Sequence, residues 1–412
     1  LPGISMQDRG AGQNAIVIRG MSADPQGSEG TAGVYFGEVP LSGLRSGSST
    51  GEAGNAVIKL VDIERIEVLR GPQGTLYGAD SMAGTVRVLP AAPNLQEIEG
   101  KLATRYSQTG EEGGDNTMVQ AVLNVPLVED TLAVRAVVYR FENSGYVDNV
   151  ALSQPIASLS ATQGFGGVVE DRDDVGSDEY TGFRLSTLWK PTDELDITLT
   201  HLQQDIEQDG TPEVELELLG DYQQRRNNIG LNGSSYDSLE NEVDITSLVV
   251  NYDLGWGALN SSSSWINYKS TNKEDKTYLL NLFSQFIGSS FFGMPYHLDQ
   301  NAETENFVQE LRLSSDLEGR LQFVTGLYYE DKEYMRDGVF TWSGAADQDP
   351  ENLQAGATLD VLKQKALFGE LSYMITDQLT ATLGGRYFDY ERTTGDQFVF
   401  GSGALPAAVP VD

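Results

Sequence analysis

Cysteine is absent from the 412 residues, and histidine occurs only at His201 and His297. The first absence removes disulfide frameworks, thiolate catalysis and cysteine-held zinc or iron–sulfur sites. The second removes histidine-rich metal centres. Bases are scarce as well, 27 Lys and Arg against 61 Asp and Glu, for a formal net charge of −34. A chain this acidic lacks the cationic face that releases counterions from phosphates, so nucleic acid is not an expected partner. No run of eighteen apolar residues occurs, which leaves no candidate for a membrane-spanning helix. The first residues show no basic-then-apolar leader, so the expectation is that an export signal was removed or never included.

What is present is unevenly placed. Residues 1–96 hold 9 acids and 7 bases, whereas residues 97–412 hold 52 acids and 20 bases. The composition changes between Pro90 and Glu97, where a glycine-rich region ends. That change predicts a first domain over 1–96 and a second over 97–412.

The second domain reads as strands. In "ELDITLTH" Leu195, Ile197 and Leu199 oppose Asp196, Thr198 and Thr200, and "FVQELRL", "LFGELSY" and "LTATLGGRY" alternate in the same way. Period two with one polar face is the strand signal. The alternation is noisier at Ala133–Phe141 and Val243–Tyr252, where both faces are partly apolar. Short turns at 126–131, 190–194, 253–257, 315–319 and 376–378 alternate with long connections at roughly 144–178, 207–239, 271–303 and 335–362. Strands of about 10–14 residues, with short turns at one end and long loops at the other, describe an outer-membrane barrel; the strands of a soluble sandwich are usually shorter. Trp189 and Trp256 fall beside short turns, and Tyr139, Phe141, Tyr268 and Tyr390 fall toward the long loops, which resembles two interfacial girdles. About eleven strands are expected. An eleven-stranded open sheet would leave unpaired edges in lipid, so the chain is expected to be part of a larger, 22-stranded barrel.

The first domain concentrates glycine around an arginine in "ERIEVLRGPQGTLYGADSMAGTV", Glu64–Val86. Together with "LPGIS", "IVIRG" (Ile16–Gly20) and "GVYFGEVPL" (Gly33–Leu41), this segment resembles the plug domain of TonB-dependent outer-membrane receptors, and "NVPLVEDTLAVRAVVYRFENSGYVDN" (Asn124–Asn149) resembles their first barrel hairpins. Two positions depart from the common pattern. Gly37-Glu38 stands where such receptors often carry Asp-Gly, and Ala83-Gly84 stands where they carry Gly-Gly. The N-terminal TonB box and the C-terminal strand ending in an aromatic residue are also not among these residues.

The resemblance implies an all-β membrane barrel with an N-terminal α+β plug inside its lumen, in the cell outer membrane of a Gram-negative bacterium. It implies energised transport of a scarce solute, a ferric siderophore or similar metal complex, with TonB, lipopolysaccharide and the solute as partners and with no cofactor. Arg19 and Arg70, each just before a glycine, would pair with wall glutamates and help hold the plug; Glu310 and Glu370 are local candidates for those partners. A guanidinium in a confined lumen suits bidentate carboxylate pairing. Three plug loops, Asp8–Gly12, Ser22–Gly30 and Ser42–Gly54, would face outward, with Arg9, Asp24, Gln26 and Arg45 placed to contact ligand. Gly71, Gly74, Gly78 and Gly84 would supply positive φ or close backbone approach. Pro72 would fix φ and discourage helix at Arg70.

Competing motifs are weaker. "GSSTG" at Gly47–Gly51 matches the form of a serine nucleophile elbow but lacks the strand before it and the helix after it. No complete catalytic set is legible, so an enzyme is not expected. "EDRDDVGSDE" (Glu170–Glu179) resembles a calcium loop in composition, but Val175 and Gly182 stand where ligands belong. A looser divalent site there, and divalent bridging to lipopolysaccharide phosphates by the acid-rich Asp205–Asp221, stay open. The alternatives to siderophore uptake are a surface adhesin or phage-receptor barrel binding through its loops, and TonB-dependent uptake of a glycan or aromatic compound.

Overall fold

The alternating segments become strands whose two faces meet different surroundings. The computed structural model describes residues 3–8, 10–12, 14–21, 30–44, 56–78, 80–110, 113–150, 171–212, 214, 222–224, 237–275, 296–342 and 352–400. Its dominant element is an eleven-stranded antiparallel sheet. In chain order its strands are β7 (Glu99–Gln108), β8 (Asp115–Val128), β9 (Leu132–Asn143), β12 (Ser177–Thr192), β13 (Leu195–Asp209), β15 (Ser238–Asp253), β16 (Gly257–Asp275), β17 (Tyr296–Ser315), β18 (Leu321–Trp342), β19 (Asn352–Thr376) and β20 (Leu379–Phe400). Neighbours in the chain are neighbours in the sheet throughout, and β7 and β20 form its two edges, so the sheet is open. At one end the joins are only a few residues long; at the other lie the long connections.

Six shorter strands and one helical turn precede this sheet. β1 (Ile4–Asp8) and β2 (Asn14–Ile18) form a hairpin pair. β3 (Ala32–Phe36), β4 (Val39–Pro40), β5 (Ile63–Arg70) and β6 (Gly84–Pro90) form a four-stranded sheet in the order β4-β3-β6-β5, with β3 and β6 parallel. The turn α1 (Gly74–Tyr77) links β5 toward β6. The glycines act unequally. A Cβ on Gly84, at φ +152°, would collide with the Leu69 carbonyl oxygen of the neighbouring strand, so only glycine lets β5 and β6 pair there. Gly71 and Gly78 also have positive φ. Gly74 does not, and a Cβ there would meet nothing; it opens α1 two residues after Pro72. The close approach that explains Gly84 is thus against the plug's own backbone and not against the barrel.

The small sheet packs on one face of the large one. Val34, Phe36, Val39, Leu41, Leu44, Ala56 and Ile58 form one buried cluster with Leu202 of β13, Val243 and Ile245 of β15, and Ile266 and Tyr268 of β16. Each such side chain, fully buried, contributes about 1.5–3 kcal/mol. Val61 joins Val122, Val137 and Tyr139 of the wall in a second cluster. Tyr139 and Tyr268 are therefore inner-face residues buried against the small sheet, which corrects their expected place in an outer girdle. Tyr390 shares the inner face of β20 with Arg386 and Arg392, by the register with β19. On the outer face an aromatic row runs across three strands instead. Trp265 lies 5.4 Å from Phe307, which lies 6.3 Å from Tyr329.

Beyond the long-loop end a third sheet forms. β10 (Val147–Asn149) pairs antiparallel with β11 (Arg172–Val175) and parallel with β14 (Gln223–Gln224). Asp148 N–H donates to the Tyr222 carbonyl at 2.9 Å and Val150 N–H to the Gln224 carbonyl at 3.0 Å. This ties the connection after β9 to the connection after β13. The acidic segment that resembles a calcium loop in composition supplies β11 and the start of β12.

Candidate functional site

Two ionic assemblies anchor the contact between the small sheet and the wall. The first centres on Asp62, which sits just before β5 in a left-handed conformation (φ +54°). Arg135 of β9 grips its carboxylate bidentately, with Nε to Oδ2 at 2.7 Å and Nη2 to Oδ1 at 2.7 Å. Arg184 of β12 donates to the same Oδ2 at 2.9 Å, to the Asp62 carbonyl at 2.9 Å and to the Val61 carbonyl at 3.2 Å. Arg135 reaches a second acid, Glu99, at 2.8 Å. The Arg184 side chain is only 4% exposed and that of Asp62 9%. Burial pushes the Asp62 carboxyl upward, but the hydrogen bonds and charges of Arg135 and Arg184 outweigh it and hold the group below the usual aspartate value.

The second assembly centres on Glu38, the residue that departs from the common plug pattern. Its carboxylate accepts from Arg87 of β6 at 2.7 Å and lies 3.9 Å from Arg312 of β17. Each cation has another acid at hand: Glu67 for Arg87 at 3.4 Å, and Glu310 for Arg312. Beside them Tyr35 donates its hydroxyl to the Tyr77 carbonyl at 3.1 Å. Burial, then the nearby acids Glu310, Asp80 and Glu330, drive its phenol far above the ordinary tyrosine value, so it stays a donor.

Uncharged contacts continue the seam. Gln204 of β13 accepts from the Lys59 amide at 2.8 Å and from the Tyr139 hydroxyl at 2.8 Å, and it donates to the Val57 carbonyl at 2.6 Å. The Lys59 ammonium stands 3.4 Å from the centre of the Tyr180 ring. Nearer the long loops, Ala11 N–H donates to Gln208 at 2.6 Å. Gly12 (φ +69°) lies so close to Asn241 that a Cβ would meet its amide nitrogen. The turn at Gly10–Gly12 is thus seated on the wall.

The two expected locking arginines behave differently. Arg19, itself in a left-handed conformation (φ +55°), and Arg70 are exposed, and no carboxylate among the described residues lies within ion-pair distance of either. Glu310 engages Arg312, and Glu370 lies beside Gly384. The ion pairs that do join the two sheets have the reverse sense, with wall arginines holding acids of the small sheet. Arg135 and Arg184 are not distinguished in the sequence from the other bases of their strands, Arg140 and Lys190; the signal available was Arg135 on a face it shares with Ala133, Val137, Tyr139 and Phe141. Arg9, Asp24, Gln26 and Arg45 lie outside the described residues, as do "GSSTG" and most of the loops Ser22–Gly30 and Ser42–Gly54. Ser42 is described and turns inward, its hydroxyl accepting from the Val34 amide at 2.9 Å.

A small mixed sheet clamped against the inner face of a long antiparallel wall, with aromatics on the wall's outer face, defines a plugged outer-membrane β-barrel. The model of the TonB-dependent receptor plug domain matches residues 1–85, and that of the TonB-dependent receptor-like β-barrel matches residues 189–409. The chain belongs to the TonB-dependent receptor family. Its fold is similar to the ferric yersiniabactin uptake receptor FyuA of Yersinia pestis (TM-score 0.70, 16% identity, covering 97% of this chain and 57% of that one). It is also similar to the unliganded ferric citrate transporter FecA (TM-score 0.67, 12% identity, covering 96% and 53%). Among curated relatives, the vitamin B12 transporter BtuB of Vibrio vulnificus is 28% identical over 191 residues, covering 45% of this chain and 28% of that protein. The chain thus spans a little over half of the solved receptors, and its alignment covers about a quarter of this curated relative. Family and neighbours are transporters or receptors rather than enzymes.

Proposed function

We propose that the chain forms the plug, residues 1–96, and part of the barrel wall, residues 97–412, of a receptor that takes up a scarce solute across the outer membrane. The solute is a ferric siderophore or a similar metal complex, and TonB supplies the work. The observation that carries this reading is the clamp itself. A plug held by a buried double-arginine grip and an apolar cluster shared with the wall does not leave a pore unaided, so passage requires external force. FyuA, FecA and BtuB are named for ferric yersiniabactin, ferric citrate and vitamin B12, which supports a scarce, bulky cargo. On this reading Arg19 and Arg70 lock onto wall carboxylates elsewhere in the barrel.

The test is uptake of radiolabelled iron, supplied as ferric complexes of a siderophore panel, in the native host. Uptake should fall on deleting the receptor and equally on deleting TonB. An adhesin would leave uptake unchanged and keep surface binding without TonB. Iron uptake indifferent to receptor deletion, together with TonB-dependent loss of a glycan or aromatic compound, would transfer the proposal to that cargo. Replacing Arg9 and Arg45 together should weaken solute binding while the unboiled barrel still runs fast on SDS gels; unchanged affinity would remove those residues from the binding surface.

A further inference from the structure

The seam between plug and wall changes character from one group of strands to the next. Along β9 to β16 its centre is apolar, and one of its two wall arginines is singly committed. Arg184, only 4% exposed, has Asp62 as its carboxylate partner, and moving the plug away would break that pair. Above it, the apolar cluster joins Val34, Phe36 and Leu44 to Val243, Ile245 and Ile266. Parting these surfaces exposes apolar area and breaks the charge-assisted hydrogen bonds of Arg135 and Arg184 to Asp62.

Along β17 and β18 the same plug meets polar groups that lose little on separation. Arg312 reaches Glu38 at the long distance of 3.9 Å and already holds Glu310; Arg87 belongs to the plug and leaves together with Glu38. The Lys332 ammonium lies against Gly43, where a Cβ would stand 3.0 Å away. On the inner face of β17, Thr304 Oγ1 and Asn306 Oδ1 are buried, at 0% and 4% exposure, with no protein hydrogen-bond partner. Asn241 of β15 and Ser264 of β16 carry unsatisfied buried atoms too, so the difference between the sectors rests on the apolar cluster and on the ion pairs.

We infer that, of these two sectors, β9–β16 is where the plug stays and pivots, and β17–β18 is where it parts from the wall and the solute path opens. The inference rests on the transport reading for its purpose, but the order of opening is a property of the receptor itself. Glu38 is the releasable contact, and Asp62 is the hinge.

The absence of cysteine from the chain makes thiol labelling direct. Single substitutions Thr304→Cys and Asn306→Cys report the opening sector; Val243→Cys and Ile245→Cys report the seated one. The full-length receptor is labelled with a small cationic methanethiosulfonate, both purified in sub-denaturing urea and in energised cells with and without TonB. Because local opening free energies differ between units of a fold, positions 304 and 306 should label at least about tenfold faster than 243 and 245 in the purified receptor. The same difference should appear in cells only with TonB. Equal or reversed rates in the purified receptor overturn the inference whatever the cells show. The expected order in the purified receptor, with no effect of TonB in cells, upholds the order of opening and overturns the transport reading. Should the variants fail to assemble, amide exchange on the unaltered receptor reads the same order. The Gly37–Glu38 turn should exchange before Val61–Asp62, and the opposite order refutes the assignment.

Discussion

Replacing Asp62 by Asn isolates the charge of the hinge. Asn tolerates the left-handed backbone at this position, so the substitution adds little strain. Arg135 retains Glu99 at 2.8 Å, whereas Arg184 retains only the carbonyls of Val61 and Asp62. One buried cation is therefore stranded, not two. Removing one partner of a buried pair costs about 3–5 kcal/mol, and the amide oxygen left behind sets the expectation at about 3. For a unit of 60–100 residues, each kcal/mol moves the melting midpoint by about 4–8 °C. Calorimetry of the full-length receptor should show the plug transition falling by roughly 12–24 °C while the barrel transition stays in place. Adding Arg184→Met, which removes the stranded charge, should restore part of the loss. The pH dependence has a defined sign. The Asp62 pKa is lowered in the fold, so its contribution is present at neutral pH and is lost as pH falls below the ordinary aspartate value, about 4. The Asn variant should lack that acid limb. A plug transition within about 4 °C of wild type, or a loss shared equally by the barrel, would refute the hinge.

Glu38→Gln should lower plug stability by less than about 1 kcal/mol, because both arginines keep other acids and the site is partly exposed; a calorimetric loss as large as that of Asp62→Asn contradicts the asymmetry. Gly84→Ala should cost about 3 kcal/mol or more by forcing its Cβ into the Leu69 carbonyl, read as early amide exchange of β5 and β6; native protection in those strands would show the collision to be relieved at no cost. Gly12→Ala should unseat the Gly10–Gly12 turn from Asn241 and raise protease cleavage there, with unboiled gel mobility retained.

Much of the wall was legible because strand periodicity and connection length are local properties. The eleven strands and their short turns follow from alternation and turn residues, but β17 (20 residues), β18 (22), β19 (25) and β20 (22) exceed the expected length and take up much of the connections placed at 271–303 and 335–362. The two noisy segments, Ala133–Phe141 and Val243–Tyr252, turn out to mark where the plug rests. Val137, Tyr139, Val243 and Ile245 are apolar on the inner face because they pack against it. What looked like a weak strand signal was the imprint of a second surface. The clamp was not legible. Asp62, Arg135 and Arg184 are separated by 73 and 122 residues along the chain. Nothing at any one of them records the others, and their sense is opposite to that implied for Arg19 and Arg70. The girdle was misread for a related reason: alternation separates two faces, but it does not say which face Tyr268 belongs to until the partner of each face is known.

The parallel pair β10–β14 joins two surface loops that leave the wall from different hairpins. Its hydrogen bonds run through the backbone, so they constrain length and register more than residue identity. Over evolutionary time the two loops are therefore free to exchange side chains but not to gain or lose residues independently near Val147–Asn149 or Gln223–Gln224. An insertion fixed in one would demand a matching adjustment in the other. The outermost surface of the receptor, where variation is usually cheapest, drifts here as a coupled pair.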